Sequence, residues 1–321
     1  MKNKLILVLW IVAILAAAAP AWAIKVATWD IMGYPKWGGP ARESGFRLAL
    51  NRLNLDILTV QGMTETGGVT SFLDNVLNFN KPGSYAPAYL KIDKKNDIIL
   101  FYKKNTISFF SQKAIPAAYL NIMEYVLRIK SGSGQGTTFR IYGVHLYYST
   151  SPTPTNREKA ARTLRNYLNG LPANSLFLVC GNLNVFKSSE KTYKTLTGSE
   201  SDNDGRLFDP VNRPGEWHEK ASYANLHTQS THKNSGGGYA SGGLDDRFDF
   251  ILVSQALLDG KALDYAKGSY LVYGNDGKHF NKSINDSPYT YPKAVLDALY
   301  LASDHLPVLI SLKEADGTSG F

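Results

Sequence analysis

Apolar runs that stop abruptly at polar residues recur along this chain, and the clearest occupies residues 177–186. It reads Phe-Leu-Val-Cys-Gly-Asn-Leu-Asn-Val-Phe, apolar up to Gly181 and then interrupted by Asn182 and Asn184. A short β-prone run without alternation is typical of a strand covered on both faces. Polar side chains just past the carboxyl end of such a strand lie where α/β folds usually place their chemistry.

The amino-terminal third repeats this pattern in a predicted β-α-β unit. Residues 24–29 form a β-prone run that ends at Asp30, and residues 42–53 carry apolar side chains at helical spacing. A second buried strand over residues 56–61 ends in the polar, glycine-rich loop 62–68.

The middle of the chain predicts further strands and two helices. Ser71 is expected to cap a short helix through residue 77, and residues 97–102 and 107–110 are expected to pair as strands. Strands over 124–129 and 139–146 are expected to pair around a Gly/Ser-rich turn, with His145 closing the second of them. A helix over 158–168 then leads to the strand at 177.

The remaining elements flank a long polar segment, residues 199–243, which is expected to be a loop. A long ordered loop in a compact domain is usually either functional, for example as the cover of a site, or an insertion. A strand over 247–253 carries Asp249, and Ser303-Asp304-His305 stands directly before a final strand over 306–312. Six predicted strand ends therefore present polar groups: Asp30, Gln61 with Gly62, His145, Asn182 with Asn184, Asp249, and Asp304 with His305.

Length and composition set the frame for these elements. The 321 residues, 44% of them hydrophobic, suffice for a large core. Residues 1–23 have the form of a signal peptide, with Lys2, Lys4, an apolar run and the small-residue site Ala21-Trp22-Ala23. We expect a mature domain over residues 24–321, secreted or periplasmic after cleavage near Ala23. A membrane anchor is the alternative, although the apolar run is shorter than the ~20 residues of a span.

The net charge and the cysteine content exclude few classes of binding partner. Without the leader, which carries two lysines and no acid, the formal net charge falls from +8 to +6. Lysines cluster around residues 91–104 and 187–194, as solvated surface or as contacts to phosphate. Cys180 is the only cysteine, which excludes an intramolecular disulfide, and its apolar strand favours a core residue over a nucleophile.

Taken in order, these motifs resemble the endonuclease/exonuclease/phosphatase superfamily, from Lys25-Val-Ala-Thr-Trp to Ser303-Asp-His-Leu-Pro-Val. The stretches Ser201-Asp-Asn-Asp-Gly-Arg-Leu-Phe-Asp-Pro, His227-Thr-Gln-Ser-Thr and Gly242-Gly-Leu-Asp-Asp-Arg-Phe-Asp-Phe-Ile-Leu resemble a secreted bacterial branch of it. The resemblance implies a deoxyribonuclease I-like fold: a four-layered α/β sandwich of two packed mixed sheets flanked by helices. It also implies phosphodiester hydrolysis with a divalent metal, usually Mg²⁺ or otherwise Mn²⁺, held by carboxylates.

The same resemblance assigns roles to individual positions. His145 is similar to the histidine that contacts phosphate, with Asp97 orienting it, and Asn184 matches the asparagine of a Gly-Asp-Phe-Asn motif. Asp249 and His305 resemble the family's Asp–His pair, and Asp304 resembles a neighbouring acid that can bind metal. A histidine held by a carboxylate keeps one tautomer and one orientation.

Three positions depart from the family pattern. The strand-ending asparagine is Asp30 here, the metal-binding glutamate after Gln61 is Gly62, and the aspartate of Gly-Asp-Phe-Asn is Asn182. The second change removes a metal ligand. The third removes the charge that would hold the attacking water and accept its proton, a contribution of ~10²–10⁴-fold.

Two hypotheses of different classes follow from these departures. In the first, the chain is a hydrolase scaffold with a degraded site, weak or inactive, that still binds phosphate through His145, His305 and lysines. In the second, it is an active nuclease or phosphodiesterase whose metal site has been rebuilt from Asp30, Asp304 and Glu65.

Further expectations concern the partner and the variable loops. The partner is expected to be a phosphate-containing substrate, with nucleic acid as the default, and the protein is expected to be a monomer without a stable membrane span. Asp202, Asp204 and Asp209 alternate like calcium-loop ligands, but the expected glutamate ~12 positions after the first ligand is absent. Four histidines in the variable loops are expected at the surface: His218, His227, His232 and His279.

Overall fold

The computed structural model describes residues 23–88, 91–146, 148 and 155–315. Within them the chain forms two β-sheets packed face to face, each covered on its outer side by helices. This is the four-layered α/β sandwich that the sequence predicts. The expected signal peptide lies almost wholly outside the described residues, so export stays a prediction. No helix in the described part is long and apolar enough to cross a membrane.

The first sheet is mixed and is built around the predicted β-α-β unit. Its first two strands run parallel, with Asp30 beside Gln61, and the last strand of the chain joins the first from the other side, antiparallel to it. In spatial order the strands are β11 (Leu263–Tyr265), β13 (Val308–Glu314), β1 (Ile24–Tyr34), β2 (Ile57–Met63), β4 (Ile99–Lys103) and β3 (Tyr85–Ala88), with β12 (Leu271–Val272) also paired to β13.

The second sheet contains the run at residue 177 as a central strand. Side chains of its strands alternate between two cores: Ile251 and Val253 face the first sheet, whereas Phe250 and Leu252 face the outer helices. This burial of both faces explains why the run reads as apolar throughout. In spatial order the strands are β5 (Ile107–Ile115), β6 (Ile122–Ile129), β7 (Thr138–His145), β8 (Phe177–Asn182), β10 (Asp249–Ser254) and β9 (Leu207–Phe208).

Helices cover both outer faces. On the first sheet, Phe46 packs edge-on against Trp29 with 5.1 Å between ring centroids. On the second, the buried face of the third helix is formed by Ala160, Ala161, Leu164 and Leu168. The α-helices are α1 (Glu43–Leu53), α2 (Thr66–Phe72), α3 (Thr155–Asn169), α4 (Lys191–Thr197) and α5 (Lys293–Ala302); a π-helical turn spans Leu73–Leu77, and 3₁₀ turns span Gly39–Arg42, Ala221–Leu226 and Gln255–Leu257.

Two local predictions were wrong. The helix expected from Ser71 begins at Thr66, with Glu65 at its N-cap position, so Ser71 lies inside it. The strands expected to pair, now β4 and β5, belong to different sheets: β4 pairs with β2 and β3, and β5 with β6. The short turn between them suggested a hairpin, but here it carries the chain from one sheet to the other.

Candidate functional site

The polar strand ends of both sheets meet at one edge of the sandwich. In the second sheet, His145, Asn182 and Asp249 are direct neighbours in register across β7, β8 and β10. In the first sheet, Asp30 lies beside Gln61, and the Ser303 hydroxyl donates to the Asp30 carbonyl, which ties the segment before β13 to the same edge. Strand pairing therefore assembles residues that are far apart in sequence.

Two histidine–carboxylate pairs form the core of this site. His305 Nδ1 lies 2.7 Å from Asp249 Oδ2, and His145 Nδ1 lies 2.7 Å from Asp97 Oδ2. His305 and Asp249 are almost fully buried, whereas the His145 side chain is about a quarter exposed. The pairings are those that the resemblance implied, and each carboxylate fixes the orientation of its ring.

Asp30 lies between the two pairs, and one imidazole nitrogen from each pair lies near its carboxylate. Its Oδ2 accepts a hydrogen bond from Asn182 Nδ2 at 3.1 Å and lies 3.5 Å from His145 Nε2 and 4.0 Å from His305 Nε2. Its Oδ1 accepts the Met32 amide at 2.9 Å. The atoms that would face a phosphate in the implied mechanism thus face a carboxylate of the protein itself.

Electrostatics follow from this arrangement. Burial disfavours the charged form of Asp30, but the two imidazoles outweigh it and lower its pKa to about 2. Burial also opposes charge on the histidines, yet Asp249 and Asp30 raise the pKa of His305 to about 10, and Asp97 and Asp30 raise that of His145 to about 9. The neighbouring carboxylates therefore favour the charged form of both rings, and Asp30 is the carboxylate that the two rings share.

Asn184 and Asp304 lie at the edge of this cluster. The Asn184 side chain donates to the Leu146 carbonyl at 2.7 Å, and its backbone amide donates to Asn182 Oδ1 at 2.9 Å, so it fixes the turn after β8. Asp304 Oδ2 accepts the Ala240 amide at 2.9 Å, while its Oδ1 is buried without a partner. Burial raises the pKa of Asp304.

The donor set does not fit a resident divalent cation. Asp30 Oδ1 accepts the Met32 amide and Oδ2 accepts the Asn182 side chain, and an imidazole nitrogen from His145 and another from His305 lie 3.5 and 4.0 Å from Oδ2. Both oxygens that could bind a metal are therefore engaged by the protein. Glu65, proposed as a replacement ligand, is exposed at the start of α2, and no contact joins it to Asp30 or Asp304. Among the described residues, no group of three or more His, Cys, Asp or Glu side chains is placed to hold a metal.

Gly62 is not a simple deletion of a ligand. Its φ is +79°, and a Cβ there would lie 2.9 Å from the Gly33 nitrogen and 3.1 Å from Asp30 Oδ1. The irregular end of β1, between Asp30 and Tyr34, therefore occupies the space that a side chain at position 62 would enter. Positions 30 and 62 are thus in direct contact and constrain each other.

Three residues that support the site had no role assigned from the sequence. Buried Arg42 donates to the carbonyls of Met32, Trp37 and Ile31 and thereby holds the loop after Asp30. Thr228 Oγ1 accepts the amides of Phe248 and Asp249. These contacts depend on long-range packing, and no spacing in the sequence predicts them.

Gln229 is the third, and it covers the buried histidine of the Asp249 pair. Its side-chain amide contacts His305 Nε2, with 2.6 Å between the two nitrogen atoms. An amide also presents an oxygen, which can accept from a charged ring. Gln229 stands inside the motif His227-Thr-Gln-Ser-Thr, so its position was visible in the sequence although its contact was not.

The long segment 199–243 lies against the site. Two of its histidines, His227 and His232, are buried, and so is His279 in the later loop, so the expectation of surface positions was wrong for these three. The His218 side chain is substantially exposed. His232 stacks between Tyr239 and Tyr300, with centroid distances of 4.1 and 3.7 Å, and burial lowers its pKa to about 4. Packing of these aromatic rings holds the segment in place, and the segment positions Gln229 and the Ala240 amide at the site.

The observed contacts also bear on the possible calcium loop and on the role of Cys180. Asp209 forms a two-pronged ion pair with buried Arg247 at 2.8 and 2.9 Å, and Asp202 accepts the Asp204 amide, so the three acids do not converge on one point. Cys180 is a buried core residue, as predicted, and burial raises the pKa of its thiol.

Two layers of helices, two mixed sheets and paired Asp–His dyads at their common edge define a deoxyribonuclease I-like hydrolase scaffold. The chain belongs to the Endonuclease/Exonuclease/phosphatase family, whose model matches residues 27–305. The search of curated proteins found no match.

Solved structures share this fold at low sequence identity. The human Nocturnin catalytic domain with bound sulfate is 17% identical (TM-score 0.57), covering 91% of this chain and 94% of that one. D. rerio TDP2 complexed with single-strand DNA product is 14% identical (TM-score 0.60; 91% and 99% covered). A Bacteroides thetaiotaomicron mannosyl-6-phosphatase is 14% identical (TM-score 0.57; 90% and 99% covered). These likenesses concern the fold alone.

Proposed function

We propose that this protein is an exported member of the family in which the hydrolytic site is silent, and that it acts by binding rather than by turnover. The observation that carries the proposal is the position of Asp30. Its carboxylate neutralises His145 and His305 from the side on which a phosphate oxygen would approach them. A second anion entering there meets a negative charge instead of two free cations.

The rest of the site supports the same conclusion. Asn182 has no carboxylate to accept a proton from water, and its amide oxygen already accepts the Asn184 backbone amide. Gln229 covers His305 Nε2. Asp97, Asp249 and Asp304 each have one buried oxygen without a partner, but no group of three or more His, Cys, Asp or Glu side chains in the described residues is placed to hold a metal. Position, charge and proton transfer, which together drive phosphoryl transfer, are each altered.

Membership of the family suggests phosphate esters as the class of ligand. A structural relative complexed with single-strand DNA product and another named as a phosphatase are consistent with that class. Nucleic acid remains the default ligand class for this chain, held by its surface lysines because Asp30 occupies the approach to His145 and His305. The alternative, an active hydrolase with a rebuilt metal site, would need Glu65 to reach Asp30, and no contact in the described residues favours it.

Asp30→Asn is expected to open the anion site. Removing the shared carboxylate leaves Asn182 and the two imidazoles as donors to an incoming phosphate, so inorganic phosphate should bind at least ~10-fold more tightly at pH 6. Phosphate-observed NMR titration or calorimetry measures the affinity. Asp74→Asn, at an exposed position on the π-helical turn, removes the same charge away from the site as a control. Equal phosphate affinity in wild type and Asp30→Asn would contradict the proposal.

A further inference from the structure

A cavity of about 710 Å³ lies at the opposite end of β2 from the Asp30 site. It opens between the start of β2, the end of β4 and the turn before β3. Asp56 precedes β2 and Gln61 lies near its end, so about 16 Å of strand separates the cavity end of β2 from its Gln61 end at ~3.3 Å per residue. The lining residues are Leu50, Asn51, Asn54, Leu55, Val76, Leu77, Asn80, Lys81, Gly83, Ser84, Tyr85, Lys103, Lys104 and Asn105.

The charge of this lining is positive throughout. Lys81, Lys103 and Lys104 contribute three cations, and no aspartate or glutamate lines the cavity. In the described structure neither Lys81 nor Lys104 forms an ion pair. Lys103 lies 3.9 Å from Asp56, which sits behind the lining and also accepts the Thr106 hydroxyl and the Lys25 amide. The cations facing the cavity therefore exceed the anions that can neutralise them.

Lys103 is held rather than free. Its ammonium donates to Asn54 Oδ1 at 2.8 Å and lies 5.9 Å from the centre of the Tyr85 ring. Burial lowers the pKa of Lys103, and Lys25 and Lys81 also disfavour its charge, while Asp56 opposes them. A bound anion would relieve this mutual repulsion.

The uncharged residues of the lining indicate which other groups an anionic ligand would carry. Four asparagines and Ser84 offer amide and hydroxyl groups that both donate and accept, as ligand hydroxyl groups require. The floor is apolar, formed by Leu50, Leu55, Val76 and Leu77 beside the Tyr85 ring. That ring is fixed by its hydroxyl on the Leu55 carbonyl and by Asn78 on its backbone.

We propose that this lysine cavity binds an anionic carbohydrate, such as a sulfated or uronate-bearing oligosaccharide. Lysines contact the acidic groups, amides contact the hydroxyls, and the partly exposed Leu77 and Tyr85 side chains receive the carbon face of a sugar ring. A nucleic acid fits less well because no arginine lines the cavity and its single aromatic ring is half-buried, which leaves no platform for successive bases. Carbohydrate binding at this cavity does not depend on whether the Asp30 site hydrolyses a substrate.

The test is calorimetric binding of a heparin-derived sulfated hexasaccharide to the mature protein at low salt. Lys81→Gln with Lys104→Gln is expected to weaken binding at least ~10-fold, since two charge-assisted contacts are lost. The matched control is Lys191→Gln with Lys194→Gln, two exposed lysines on α4 outside the cavity, which should change the affinity less than ~2-fold. The desulfated hexasaccharide should bind at least ~10-fold more weakly than the sulfated one.

Four results would overturn the proposal. Absence of hexasaccharide binding to wild type removes the site, and equal weakening by both lysine pairs reduces it to diffuse surface charge. Tighter binding of a single-stranded oligonucleotide of similar charge, sensitive to the same cavity lysines, replaces carbohydrate with nucleic acid as the ligand. Inorganic phosphate that matched the hexasaccharide in affinity would reduce the cavity to a simple anion site.

Discussion

Gly181→Ala is expected to destabilise the protein by at least ~4 kcal/mol and to leave little folded material. Position 181 has φ +143°, and a Cβ there would lie 1.9 Å from the Val144 carbonyl oxygen of the neighbouring strand. That atom is backbone in the middle of a buried parallel pair and cannot move aside without breaking the β7–β8 ladder. Urea denaturation followed by circular dichroism measures the free energy of unfolding.

The matched control is Gly238→Ala. Gly238 also has a positive φ, +84°, but a Cβ there meets no atom within 4 Å, so only the ordinary backbone penalty of about 1 kcal/mol applies. If Gly181→Ala unfolded within ~1 kcal/mol of the control, the close approach of β7 and β8 would be wrong. The register of His145 beside Asn182, on which the site depends, would then be wrong as well.

Gly62→Glu combined with Asn182→Asp, which restores the family residues at two positions, is expected to destabilise the protein by ~3 kcal/mol and to yield no metal-dependent hydrolysis. The new side chain at position 62 collides with the Gly33 backbone and with Asp30, and the new carboxylate at position 182 faces Asp30 Oδ2 at about 3 Å. Denaturant unfolding and hydrolysis of a generic phosphodiester with Mg²⁺ measure the two effects.

Gly268→Glu provides the control for strain alone. Gly268 has φ +84°, and a Cβ at that position would meet no atom within 4 Å, so the same substitution there meets no obstacle. The contradicting result would be a double variant at positions 62 and 182 that folded as stably as Gly268→Glu and gained turnover. It would show that point changes alone had inactivated the site and that the end of β1 does not obstruct a side chain at position 62.

The sequence predicted the fold because the fold depends on short-range pattern, and the polar residues at its predicted strand ends lie together in the structure. Buried strands such as β8 are apolar on both faces, and each ends in polar residues that the parallel pairing of β1 with β2 and β7 with β8 brings to one edge. The pairing of β4 was predicted wrongly because proximity in the chain favours a hairpin, whereas the observed partner β2 lies about forty residues earlier.

The function of individual residues was harder to predict because it depends on which atoms face each other. Asp30 read as an additional carboxylate available to a metal, yet its position makes it a counter-ion for two histidines. Gly62 was interpreted as a lost ligand, but the end of β1 fills the space that its side chain would need. His227 and His232 were expected at the surface because polar sequence surrounds them, but they pack against Phe280 and Tyr300 from distant segments, and His232 also stacks on Tyr239.

The most direct test of the silent site is an assay of the purified mature protein on plasmid DNA and on bis(p-nitrophenyl) phosphate, with Mg²⁺ or Mn²⁺, beside the His305→Ala variant. The structure predicts that wild type hydrolyses neither substrate faster than His305→Ala does, because Asp30 neutralises the histidines and Asn182 accepts no proton. Turnover by wild type that requires the metal, disappears with a chelator and is lost in His305→Ala would contradict this account.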